Sequence, residues 1–164
     1  MPVWITRENL HVDRTACPWL IRRFVDSKAK FVFVDPNARR KPVGRTFDMV
    51  DAEFGHSGPK CTFEVMVEKL GLSSDPALVE MGLIVRGADT PTGTRKRTES
   101  IGLEAIISGV RATVEDDDAK LRVTHPLYEA LYAYCQQKVR GHRTRDPRRP
   151  TLRIAQRVRE HLAQ

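Results

Sequence analysis

The chain has little with which to cross-link itself. Of its 164 residues only Cys17, Cys61 and Cys135 are cysteines, and no two form a CxxC pair. That excludes a disulfide-dense secreted scaffold and suits a reducing compartment. No apolar run approaches the ~20 residues of a membrane span, and Met1 to Glu8 has no basic segment leading into an apolar one, so a cytoplasmic protein with no membrane partner is expected. There is no P-loop, GxGxxG or GxSxG, so nucleotide-driven and esterase chemistries lose their usual support. What is present suffices for a core: 40% of residues are hydrophobic and 30% charged, which fits neither a disordered nor a collagen-like chain. The length suits one domain with an appendage.

The net charge of +7 lies at one end. Residues 138–164 hold nine Lys or Arg against two acids, and the preceding residues hold nineteen of each sign. A neutral body with a basic tail is expected, and the tail is a candidate for weak nucleic-acid contact through phosphates.

Short runs of aromatic and β-branched residues predict strands at Trp4-Ile5, Lys30 to Asp35 and Arg45 to Met49. Between the first two, Thr15 to Ser27 reads as a helix capped by Asp13 or Thr15, a βαβ-like opening. Pro36 to Gly44 and the glycine-bearing Asp51 to Pro59 read as loops. Helices come next: about nine residues capped by Thr62, then Pro76 to about Arg86 after Asp75, Ser100 to Val114, about Ala119 to Val139 with Pro126 starting or kinking a turn, and Pro150 to Leu162. Tyr128 and Tyr132 share a face and read as core packing. The fold class is α+β, mainly helical, with a small sheet from N-terminal strands packed with about five helices.

Two stretches concentrate the chemistry. His11-Val12-Asp13-Arg14-Thr15-Ala16-Cys17 to Arg22-Arg23 crowds an imidazole, a carboxylate, a thiol and three guanidinium groups at a loop-to-helix junction. Exposed amides and arginines there favour an anion and would lower the Cys17 pKa. The plainer reading has Asp13 as a cap, Cys17 as core and Arg22-Arg23 as a solvated face. The second stretch, Asp48 to Glu64, sets Glu53 and His56 three apart, with Cys61 and Glu64 at the next helix start. Carboxylate with imidazole suits zinc, iron or manganese. No H-x-H or HExxH pattern sharpens this, and Glu53 pairing with an arginine explains the spacing equally well. Asp89, in a polar turn after a helix, is a further candidate for the same cleft.

These blocks, His11-Val12-Asp13-Arg14 through Cys17-Pro18-Trp19-Leu20-Ile21-Arg22-Arg23-Phe24, then Phe47-Asp48, Glu53-x-x-His56 and Cys61-Thr62-Phe63-Glu64, resemble the C-terminal domain of the chromate-resistance protein ChrB family. The likeness runs from about Thr6 to Gln137 and takes in the helix bearing Tyr128 to Tyr134. It implies a bacterial cytosolic domain tied to chromate resistance and its stress response. In longer relatives that domain is joined to an N-terminal DNA-binding part regulating a chromate efflux gene, which this chain is expected to lack. The family motif resembling Ile-Val-His-x-Ala-Asp carries Arg86 here. An arginine cannot ligate a metal, though it can bind an oxyanion.

Residues 1–137 are therefore expected to form the family-like domain and 138–164 a basic helical tail. The expected function is sensing or handling of chromate, or of the metal stress that accompanies it, in a cleft with two halves. His11, Arg14, Arg22 and Arg23 would bind chromate or a similar oxyanion, and Glu53, His56, Glu64 and Asp89 a transition metal ion (Zn, Fe or Mn). Two alternatives stand beside it. One is a metal-dependent enzyme, redox chemistry included, with Cys17 or Asp13 as the reacting group. The other is a nucleic-acid-binding accessory protein acting through the tail. Turnover, oligomeric state and metal identity are left open.

Overall fold

The β-branched and aromatic runs at the start of the chain do become strands, and they pair in parallel. The computed structural model describes residues 3–37, 42–90 and 97–144. Strand β1 (Val3–Arg7) leads into helix α1 (Val12–Phe24), which returns the chain to β2 (Lys30–Val34). Trp4 lies opposite Phe31, and Thr6 opposite Phe33. On its other edge β1 pairs with the short β3 (Arg45–Thr46), giving a sheet of order β2-β1-β3. Gly44 enters β3 against the sheet, where a Cβ would stand 2.4 Å from the Val3 carbonyl oxygen, so only glycine fits.

Helices α2 (Thr62–Lys69), α3 (Pro76–Asp89), α4 (Thr98–Thr113) and α5 (Asp117–Thr144) complete the described chain. The architecture among the described residues is α+β and mainly helical, as expected. α3 packs against α1, α2, α4 and α5. Trp19 of α1 sits amid the rings of Phe24, Phe63, Tyr128 and Tyr132, so the two tyrosines do pack in the core. No described helix is long and apolar enough to cross a membrane.

Several boundaries differ from the sequence reading. α1 starts earlier, with His11 at its N-cap and no side-chain cap. Thr15 bonds back to the His11 and Val12 carbonyls, and Asp13 turns to the start of α2 instead of capping its own helix. α3 runs three residues past Arg86, which puts Asp89 in a helical turn rather than a loop. α5 passes through Pro126 without a break. Val123 and Leu127 are exposed, off its buried face. The candidate helix Pro150 to Leu162 lies outside the described residues.

α5 also crosses the expected junction at 137/138. Lys138 sits 2.7 Å from Glu80 and 2.8 Å from Glu99, and Val139 packs on the core. Lys138→Met keeps the stem and removes the charge. It is expected to lower stability by about 1 kcal/mol in urea unfolding, because Glu80 is left with Arg97 at 3.0 Å and Glu99 with the Tyr134 hydroxyl at 2.6 Å once the shared cation is gone. No measurable change would mean that solvent screens both pairs.

Parallel strands place their C-terminal ends on one side of the sheet, so the turns leaving β1 and β3 share an edge. β1 ends at Arg7 and the chain turns through Asn9 (φ 61°) into α1, while β3 ends beside Asp48. The turn is pinned from outside. The amides of Asn9 and Leu10 donate to Asp117 at 2.7 and 3.1 Å, and Arg111 donates to the Asn9 side chain at 2.7 Å.

Candidate functional site

At that carboxyl edge of the sheet, the usual ligand side of an open α/β layer, four side chains from separate segments converge. Asp13 comes from the first turn of α1, Asp48 from the end of β3, His56 from the following loop, and Asp89 from the last turn of α3. His56 Nε2 lies 3.2 Å from Asp13 Oδ2, 3.3 Å from Asp48 Oδ1 and 3.4 Å from Asp89 Oδ2. The oxygens of Asp13 and Asp89 and the His56 nitrogen all fall within 4.8 Å of one another.

Each member is held by backbone or by neighbours. Asp13 is wholly buried, and its carboxylate accepts the amides of Thr62 (2.7 Å) and Phe63 (3.1 Å), so an acid on α1 caps α2. Its own amide donates to Asp89 Oδ1 at 3.2 Å, tying α1 to the end of α3. Asp48 has a left-handed backbone (φ 46°), which a non-glycine residue seldom adopts. It accepts the Thr62 hydroxyl at 2.8 Å and faces Arg14 Nε at 3.6 Å. His56 sits between Gly55 and Ser57-Gly58, with its side chain 42% exposed. It lines a cleft of about 670 Å³ formed by residues 49–60 and α2.

The electrostatics arise from crowding. Hydrogen bonds to Asp13, then Asp48 and Asp89, raise the His56 pKa to about 12, so the imidazolium serves as counter-ion to three carboxylates. Burial pushes Asp13 up to about 6 against the His56 hydrogen bond. Asp48 is also desolvated, yet His56, Thr62 and Arg14 together hold it below the usual carboxylate range.

The structure distributes the sequence candidates unevenly. Asp13, His56 and Asp89 meet. Glu53 does not join them: its carboxylate takes Arg45 Nε at 3.1 Å and Arg45 Nη2 at 2.5 Å, which is the plainer explanation of its spacing. Glu64 accepts the Cys61 amide at 3.1 Å and faces Arg86 at 3.3 Å, so both its oxygens are engaged away from His56. Of the oxyanion candidates, only His11 and Arg14 stand near the cluster, His11 with Nε2 3.3 Å from Ser108 Oγ. Arg22 lies over the Phe31 ring and Arg23 pairs with Glu129 at 3.2 Å, so one helix turn does not aim three guanidinium groups at one point.

Cys17 reverses its expected chemistry. It is fully buried, and desolvation, then the Asp13 charge, pushes its thiol well above the ordinary range. A thiol in that state is neither a ready nucleophile nor a reductant. Sequence reasoning missed Asp48 as a site residue, because a lone acid between a strand and a loop carries no spacing signal.

The arrangement suits a cation more than a bare anion: three carboxylates and one imidazole face one point. Residues 4–135 match the family described as the C-terminal domain of ChrB. The chain is 35% identical over 131 residues to Protein ChrB of Cupriavidus metallidurans, a match covering 80% of this chain and 40% of that protein. It thus spans less than half of that relative's length. No solved structure matches.

Proposed function

The chain belongs to the ChrB C-terminal domain family, and on that premise we propose that it serves a chromate-resistance role by binding a divalent transition-metal ion. Asp13, His56 and Asp89 are the ligands. The observation that carries this reading is a spacing. Donors held at about 2.0–2.2 Å from a tetrahedral ion lie roughly 3.3 Å apart, and His56 Nε2 stands 3.2 and 3.4 Å from its two carboxylate partners. Oxygen and imidazole ligands suit zinc, iron or manganese. Asp48, committed to Thr62 and Arg14, lies beside the group and orients His56. Of the expected two-part cleft, the metal half is the one that the geometry favours, with Asp13 joining the expected His56 and Asp89, and with Glu53 and Glu64 outside the group.

Isothermal titration of zinc and of manganese into the metal-free chain tests this. One ion per chain is expected, with Asp89→Ala weakening zinc by about ten- to a hundredfold, at least the loss typical of a supporting residue. Absence of uptake by the wild type defeats the proposal, and equal affinity in Asp89→Ala removes that ligand. His56 belongs to both the three-ligand group and the wall of the adjacent cleft, which favours a metal-dependent enzyme as the second reading, because a small molecule held in the cleft would lie beside one of the proposed ligands. Turnover that depends on the added ion would support it.

A further inference from the structure

Helices α4 and α5 pack side by side, and Glu99 shows which sides meet, because its carboxylate accepts the Tyr134 hydroxyl at 2.6 Å and the Lys138 ammonium at 2.8 Å. Gly102 and Ile106, three and seven residues after Glu99, lie along that same side of α4. Ala130 and Leu127, four and seven residues before Tyr134, do the same on α5. The seam between these residues is open to water: Ile106 is 52% exposed, Leu127 37% and Tyr134 43%. A Cβ placed on Gly102, or on Gly109 further along α4, would meet nothing within 4 Å. Glycine is the poorest residue after proline for a helix interior, and nothing among the described residues calls for it at either position.

The chain beyond α5 holds a segment that matches this seam. α5 ends at Thr144. In residues 150–162, Ile154, Val158 and Leu162 recur at every fourth position with Ala155 beside them, and Arg153, Arg157 and Glu160 fall on the opposite side. A helix that short is marginal alone in water and needs an apolar surface to lie on. At 1.5 Å per residue it would be about 20 Å long, the length of α5 from Leu127 to just past Lys138. Residues 145–149 reach about 17 Å when extended, enough to turn the chain and cross the roughly 10 Å between packed helix axes. We propose that residues 150–162 fold back antiparallel to α5 and seat Ile154, Val158 and Leu162 in the seam between α4 and α5. Gly102 lets the two backbones approach closely, while Arg153 and Arg157 stay in water, where charge is cheapest to keep. A second copy on the same seam would compete with a tethered segment whose effective concentration is on the order of millimolar.

Hydrogen exchange read by mass spectrometry on the full chain tests this, in wild type, Val158→Glu, Ile106→Glu and Val50→Glu. Val50 is 75% exposed and outside both helices, so its variant should match wild type. Backbone amides of residues 152–162 are expected to exchange at least about tenfold more slowly in wild type than in Val158→Glu or Ile106→Glu, since burying one aliphatic side chain is worth more than a tenfold change. Ile106 is half-exposed, so a glutamate there leaves the fold standing, and Val158→Glu alters the tail alone. Wild-type amides that exchange as fast as those of Val158→Glu overturn the proposal. A tail that loses protection in Val158→Glu but keeps it in Ile106→Glu is docked elsewhere, which overturns it too. Protection that rises with protein concentration, with a dimer in light scattering, gives the seam to a second copy and rejects the tail as its occupant.

Discussion

Asp13→Ala is expected to lower the stability of the metal-free protein by about 3–5 kcal/mol, a large fraction of what a domain of this size possesses. The reason is structural before it is functional. The Asp13 carboxylate is the acceptor for two buried amides at the start of α2, and alanine leaves both unsatisfied where no water reaches. An unsatisfied buried donor costs about 1–3 kcal/mol, and losing a helix cap belongs to the same range. Asp13→Asn separates capping from charge. Its carbonyl retains one acceptor and the site loses a negative charge beside Asp48 and Asp89, so a cost of about 1–2 kcal/mol is expected. Urea unfolding of the two variants decides it. An alanine variant within about 1 kcal/mol of wild type would show that α2 does not depend on Asp13.

That dual role explains why Asp13 admits two readings from sequence and why neither is complete. Asp13 does cap a helix, but the helix is α2, some fifty residues further on. Local rules assign a cap to the helix next to it in sequence, and here a tertiary contact overrides them. The strands are legible because a run such as Lys30 to Val34 carries β-branched and aromatic residues whatever surrounds it. His56 is legible as a chemical residue in a glycine-bearing loop. Its partners are not: Asp48 and Asp89 reach it only because parallel pairing puts the ends of β1 and β3 on one side, and α3 runs on to Asp89. Glu53 shows the converse, since nearness in sequence to His56 makes it a candidate while Arg45 holds it in the fold. For Cys17 the helix start is legible and the depth is not. Burial outweighs the nearby amides and arginines.

His56→Ala is expected to weaken zinc binding by at least about a hundredfold, because it removes the single imidazole donor of the three-ligand group. Its effect on the metal-free protein has a definite pH dependence. The folded pKa of His56 is raised from 6.5 to about 12. The stability it contributes is therefore fully present below about pH 6.5 and is lost only as pH rises through about 12. At pH 8 wild type has that contribution, and the alanine variant faces Asp13, Asp48 and Asp89 with Arg14 as the remaining cation in contact. Allowing for screening at a side chain 42% exposed, a deficit of about 1–2 kcal/mol is expected there. Lowering the pH acts on the variant more strongly. Without the imidazolium the carboxylates hold protons more tightly in the folded state than in the unfolded one, so folding takes up protons and the variant recovers as pH falls toward 5. Wild type shares only the part due to Asp13, whose folded pKa is raised to about 6. The stability gap between the two proteins should narrow from pH 8 to pH 5 in urea unfolding, and a gap that stays constant or widens would mean that His56 is not the counter-ion of the cluster.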